Sequence, residues 1–427
     1  MVDDSLSPQS GDSSTKSVRL HYLDWLRVLA ILGVFVFHAV HPFDHLDWHI
    51  KNPEASVPVT LFNVFLFPWG MPLFFLISGA GSWFALRRRT GRQYAVERVT
   101  RLLVPFLVGS LFMTPVMAYY ETSHKGLYEG SFTGFISDPG VIKAFFTEFH
   151  PLSLSPLVFG ALGYHLWFLG FLFAASLIAL PLFLWLRRPS GRPLIRWLAR
   201  LCGRRGGLLL LILPLALVQV MLRPAYPGEH DWADFATMLV FFIYGYLLYS
   251  DERFTRAVRR DWPLGLGLGL LTTFLILSTA LSSLGVSPTD VADRLDIVLT
   301  WTVLSANGWA WSIFILYIGM RYLDFSNSWL VYGQTSILPF FLLHQPVIIA
   351  IAYHVVQWDA GVIVKLPVVV LGSLVVTLSL YEALIRRIKP ISAFFGIKPS
   401  SETRNSERRP WASLARCEMI AQSSEYP

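Results

Sequence analysis

The chain has 427 residues, 54% of them hydrophobic and only 15% charged, with a mean hydropathy of +0.51. Soluble domains carry about a quarter charged residues, so this composition is that of an integral membrane protein and excludes a soluble globular enzyme. The net charge of +7 would suit a nucleic-acid binder, but most Lys and Arg lie in short connections between apolar runs, where they act as orientation signals; no nucleic-acid partner is expected.

Residues 1–18 are polar and rich in Ser and Asp, and are expected to be a disordered cytoplasmic N-terminus rather than a cleaved leader. The first apolar run, LHYLDWLRVLAILGVFVFHAVHPFD (20–44), is predicted to be helical over about 21–41. It carries Arg27 and His38 eleven residues apart, on nearly the same helix face and about 16 Å apart along the axis. Each alone is explained by snorkelling or by packing; both on one face of a membrane helix point to function. Nine further spans follow, near 57–84, 102–120, 160–186, 207–222, 233–250, 263–284, 296–320, 330–355 and 361–384. Basic loops are expected at 87–101 and 187–205, and short interfacial or re-entrant pieces in the long connection 121–157. The whole is predicted to be an all-α membrane protein of about ten transmembrane helices. A single membrane domain occupies 19–388, and a disordered cytoplasmic tail occupies 389–427. No internal repeat is visible. Cys202 and Cys417 give no disulfide framework.

Ten spans put both termini on one side. Only Lys51, Lys125, Lys143, Arg223, Arg294 and Lys365 then fall on the opposite side, leaving 29 of the 35 Lys and Arg with the termini. The positive-inside rule makes that side cytoplasmic. His38, His165 and His344 consequently lie at matching depth in the outer half of the bilayer, on helices far apart in sequence, which points to a shared polar cavity. Helix capping and local hydrogen bonds are the plainer alternative. His38 and His41 have i,i+3 spacing, but no helical metal-ligand pattern and no carboxylate completes a set, so no metal is expected. No GxSxG elbow occurs. Acid–base work by imidazole remains, with Asp44 or Glu121, both at outer helix ends, as the orienting carboxylate.

The cytoplasmic side has a different chemistry. Arg87, Arg88 and Arg89 are explained by topology alone. Arg27 and the RxxR pair Arg98 and Arg101 sit at or inside apolar segments, where guanidinium groups suit phosphates. Ser78 and Gly79, in the small-residue run 78–82, either permit close helix packing or let a ligand pass near the backbone.

LDWLRVLAILGVFVFH resembles the first-helix signature of the acyltransferase-3 membrane family, and the resemblance continues in PLFFLISG (72–79), RVTRLLVP (98–105), HLWFL (165–169) and SILPFFLLHQPV (336–347). Within that family the chain is most similar to the glucan biosynthesis protein C branch. The resemblance implies transfer of an acyl group from cytoplasmic acyl-CoA to a hydroxyl of an extracytoplasmic glycan, with succinylation of periplasmic glucan as one instance, in the bacterial inner membrane. It maps the family's essential histidine to His38, its first-helix cation to Arg27 and its RxxR to Arg98 and Arg101. On this reading CoA phosphates meet Arg27, Arg98 and Arg101 beside Ser78 and Gly79. His38 serves as general base or transient acyl carrier, while His165, Trp167 and His344 attend the acceptor. Acyl-CoA and a glycan are substrates, the bilayer is the solvent, and no cofactor is held permanently. A transporter or flippase for an anionic or lipid-linked substrate is the alternative.

Overall fold

The computed structural model describes residues 20–141, 143, 155–285 and 294–388. The expected disordered tails, and much of the connections 121–157 and 287–296, lie partly or wholly outside the described residues. The elements, in order, are α1 (His21–Val40), α2 (Val57–Arg88), α3 (Gly91–Arg98), α4 (Val104–His124), α5 (Phe132–Ser137), α6 (Leu157–Gly163), α7 (Trp167–Ile178) and α8 (Leu180–Arg187). They continue with α9 (Arg192–Cys202), α10 (Ile212–Leu222), α11 (Trp232–Leu248), α12 (Glu252–Gly285), α13 (Arg294–Tyr322), α14 (Ser328–Val355) and α15 (Val362–Leu380). Among the described residues there is no strand. Within the same described residues, eight helical stretches are long and apolar enough to cross a membrane, and the shorter apolar helices Gly207–Leu222 and Trp232–Leu248 accompany them. The protein is a multi-pass membrane protein.

Two predicted basic loops are helical. Thr90 caps α3 in a reciprocal box with Gln93, and a π turn (Val99–Leu103) joins α3 to α4, so one helical stretch runs Gly91–His124. A run of charges hides that helix from a search for apolar periodicity. Likewise α9 buries Ile195, Ala199 and Cys202 and exposes Arg192, Arg196 and Arg200, one turn apart. The fourth span is broken. Tyr164, at φ +49°, ends α6 and opens the turn Tyr164–Leu166 that precedes α7.

α2 is the central helix and packs on α1, α11, α12 and α13; α14 packs on α1, α4 and α15. The α2–α11 crossing brings backbone against backbone. A Cβ at Gly79 would strike the carbonyl of Phe242, and one at Gly245 would strike the carbonyl of Leu76. The buried guanidinium of Arg223 pairs with Asp234, bonds Gln219 at 3.0 Å and lies 3.9 Å from the Trp301 ring, tying α10, α11 and α13 at one end.

Gly245→Val is expected to destabilise the bundle by about 1–3 kcal/mol through this backbone collision. Gly33→Ala, where a Cβ meets open space, is expected to cost nothing. Thermal unfolding of the two variants in detergent checks the contrast.

Candidate active site

Pro339 and Pro346 lie inside α14, and Pro346 has no N–H to give the carbonyl of Leu342. His344 sits between the two prolines with 0% exposure. Its Nδ1 donates to the carbonyl of Phe341 at 2.7 Å, and its Nε2 lies 3.0 Å from Nδ1 of His38 on α1. His165, carried by the Tyr164–Leu166 turn, donates Nε2 to the same carbonyl at 3.2 Å, its ring edge-on to His344 at 5.2 Å. Three histidines from distant parts of the chain therefore meet. The hydrogen bonds also fix tautomers. A carbonyl only accepts, so neutral His344 has its proton on Nδ1 and accepts at Nε2. His38 must then donate from Nδ1, which leaves a lone pair on its Nε2. Nδ1 of His165 is buried and takes no protein donor among the described residues.

The two candidate carboxylates bond other rings. Asp44 Oδ2 is 2.8 Å from His41 Nδ1, and Asp44 also accepts from Lys51 Nζ at 2.8 Å, Asn63 Nδ2 at 2.6 Å and the Leu46 amide at 3.0 Å. Burial raises its pKa, but the bonds from His41, Lys51 and Asn63 outweigh that, and the carboxyl is held below its ordinary value. Glu121 bonds His49 at 2.7 Å and Lys125 at 2.6 Å. His38 is oriented by an imidazole, and neither carboxylate supplies its bond. Trp48 lies nearly parallel to both His38 and His41, with ring centroids 6.4 and 5.3 Å away. Trp167 packs on His230 at 4.3 Å and on Phe171 at 5.0 Å. Burial of His230 lowers its pKa to about 4, so this ring is neutral at physiological pH.

At the far end of α1 a cavity of about 250 Å³ is lined by Arg27, Ser78, Gly81, Ala85, Arg89, Glu97, Arg98 and Arg101. Arg27 Nη2 donates to the Ile77 carbonyl at 3.3 Å, and Arg98 donates to Ser82 Oγ at 3.4 Å beneath the Tyr94 ring. Glu97 bridges Arg89 at 2.8 Å and Arg101 at 3.2 Å. The π turn places Arg98 and Arg101 on the same cavity. Four guanidinium groups against two carboxylates, Glu97 and the Asp24 that lies 3.4 Å from Arg27 Nη1, leave a cationic seat that suits an anion with several oxygens. Gly81 is small for a visible reason: a Cβ there would lie 2.7 Å from Arg27 Nη2. Gly79 faces Phe242 and does not line the cavity, so its smallness serves packing. Sequence reasoning assigned Arg89 to topology and passed over Glu97, Trp48 and the His41–Asp44 pair. The i,i+3 spacing of that pair was the one available signal. Among the described residues no group of three His, Cys, Asp or Glu side chains is arranged to hold a metal.

The acyltransferase-3 family, described as an acyltransferase domain, matches residues 20–382 of this chain. The chain belongs to that family. Glucans biosynthesis protein C of Escherichia coli (strain K12 / DH10B) is 31% identical over 96 residues, which is 22% of this chain and 25% of that protein. The protein of the same name from Escherichia coli O1:K1 / APEC matches to the same extent. The chain thus aligns with about a quarter of the length of these relatives. No solved structure matches.

Because the folded-state pKa of Asp44 is depressed, its stabilisation is fully present above the ordinary value of 3.8 and is lost as pH falls through the lower folded value. Asp44→Asn is therefore expected to melt lower than the parent at neutral pH, with the gap narrowing as pH drops below 3.8. Thermal scans across that acid range check this.

Proposed function

We propose that the protein moves an acyl group from a cytoplasmic acyl-CoA to a hydroxyl of an extracytoplasmic glycan, across the bacterial inner membrane. Periplasmic glucan is the candidate acceptor and succinyl the candidate group. The observation that carries this reading is α1 itself. Arg27 lines a cationic cavity towards one end, and His38 joins a hydrogen-bonded histidine cluster near the other. The positive-inside count assigns the arginine end to the cytoplasm, where acyl-CoA resides. Arg98, Arg101 and Arg27 hold the phosphates, Ser78 borders the path, and the thioester extends between helices towards His38. There the Nε2 lone pair meets the acyl carbon or the acceptor hydroxyl. His165 Nδ1 accepts a hydroxyl hydrogen bond and helps to place the acceptor. The likeness to proteins named for glucan biosynthesis supports a carbohydrate acceptor.

Two variants test the two ends separately. His38→Ala is expected to remain folded and to acylate glycan at least about 100-fold more slowly, the scale of losing an acid–base group. Arg98→Ala/Arg101→Ala is expected to raise KM for acyl-CoA by about 10–100-fold, the scale of one or two charge-assisted hydrogen bonds. Assays of CoA release and mass spectrometry of the glycan read both. Unchanged acylation in His38→Ala would sink the proposal and favour transport without covalent chemistry.

A further inference from the structure

His41 lies one helical turn beyond His38, and its surroundings differ in what matters most for a base. Its Nδ1 is 2.8 Å from Oδ2 of Asp44. That carboxylate is fully buried and fixed from three other directions: Asn63 bonds the same oxygen, while Lys51 and the Leu46 amide bond Oδ1. The contact is an ion-pair approach and not an aligned hydrogen bond; with its proton on Nδ1, neutral His41 faces the carboxylate and keeps its lone pair on Nε2. An imidazolium formed there would sit against an ionised carboxylate, the arrangement that makes histidine an effective proton acceptor. His38 lacks that support. Its Nδ1 reaches a second imidazole and, through it, a backbone carbonyl. A proton taken up by His38 would have no carboxylate beside it, only the His344 imidazole. A neutral imidazole with a free Nε2 lone pair is instead suited to attack an acyl carbon.

The two rings share one box. Trp48 covers both at interplanar angles of 16° and 9°, and Phe37 meets His38 at 5.3 Å and His41 at 5.1 Å. Building on the reading under Proposed function, we propose that His38 carries the acyl group transiently while His41, positioned by Asp44, is the base that activates the acceptor hydroxyl. In the first half, His38 Nε2 forms a bond to the thioester carbonyl carbon and the C–S bond breaks, releasing CoA thiolate. The Nδ1 proton of His38 passes to Nε2 of His344, which leaves a neutral acyl-imidazole. In the second half, the acceptor hydroxyl gives its proton to His41 Nε2 and its oxygen bonds the acyl carbon. The C–N bond then breaks and His344 returns its proton to His38. The proton on His41 leaves to solvent, matching the thiolate released earlier. His38 and His41 are the catalytic residues of the two halves, and Asp44 and His344 are positioning residues.

The test separates the halves. Purified protein in detergent is given succinyl-CoA or acetyl-CoA, first without and then with periplasmic glucan. CoA release and the intact mass of the chain are followed. Wild type is expected to release about one equivalent of CoA per chain without acceptor and to gain one acyl mass, the burst of a covalent intermediate. His41→Gln and Asp44→Asn are expected to keep that burst while glucan acylation falls at least about 100-fold. His38→Gln is expected to lose both. Wild-type glucan acylation in His41→Gln overturns the inference. So does loss of the burst in both His41→Gln and Asp44→Asn, which makes the pair a scaffold for the donor half. Wild-type transfer to glucan without any acyl mass on the chain also overturns it, returning His38 to the role of base. If wild type releases no CoA with or without glucan, the proposed function itself fails, an outcome distinct from these.

Discussion

Polar groups inside a bilayer have no water to fall back on, so each must find a partner within the protein. The imidazole pair His38–His344 meets that constraint with a chain that ends on one carbonyl, that of Phe341. His165 ends on the same carbonyl, so three segments (α1, the Tyr164–Leu166 turn and α14) converge on one atom. Two prolines in α14 interrupt its own ladder around this point, which loosens the backbone that receives the side chains. Satisfying the membrane's demand for hydrogen bonds thus also sets the tautomers, and the tautomers set which nitrogen can react. Stability and chemistry come from the same bonds.

The opposite end of α1 obeys a different rule, because its charges sit where water and ligands can reach them. Small residues on α2 make room there for two unrelated reasons. Gly79 lets α11 cross at backbone contact, and Gly81 leaves space for the guanidinium of Arg27. A tight α2–α11 crossing on one face of α2 and an open cationic cavity on another are compatible only because neither glycine carries a side chain. The helix that holds the bundle together is also a wall of the cationic cavity.

Much of the scaffold was legible in the sequence. Apolar runs gave most spans to within a few residues, since lipid admits no other spanning backbone than a fully bonded helix in an all-α chain, but the helical stretches Gly91–His124 and Glu252–Gly285 begin well before the predicted 102 and 263. Helices α3 and α9 were not legible, because their residues face water or charge on most sides and the apolar signal vanishes. Convergence was legible too: His38, His165 and His344 were expected to come together from distant helices, and their rings meet. Partnership was not. Asp44 and Glu121 were the candidates to orient His38, yet Asp44 turns to His41, three residues earlier, and Glu121 to His49, 72 residues away. Residue spacing along one helix reports faces, but the bond between His38 and His344 spans 306 positions and depends on how α1 meets α14. In the same way, the RxxR spacing put Arg98 and Arg101 together, and both line one cavity, while the π turn that places them could not be read from it.

Asp44 links the chemistry to the architecture of the connection between α1 and α2. Besides His41 it holds Lys51, whose Nζ also bonds the backbone carbonyls of His41 and Asp44. The next residue, Asn52, donates its amide to the Pro42 carbonyl at 2.8 Å, and its side-chain oxygen accepts from the buried Lys365 Nζ at 3.1 Å. The Lys51 amide bonds His124 on α4 at 3.1 Å. Trp48, at the middle of this stitched segment, is thereby held over His38 and His41. A connection bonded so fully has little freedom to open and close as a unit, since each bond broken would expose a buried polar group. The indole is consequently a fixed roof over the two imidazoles, and His165 Nδ1 and the rings of Tyr164 and His49 border the cluster beside it.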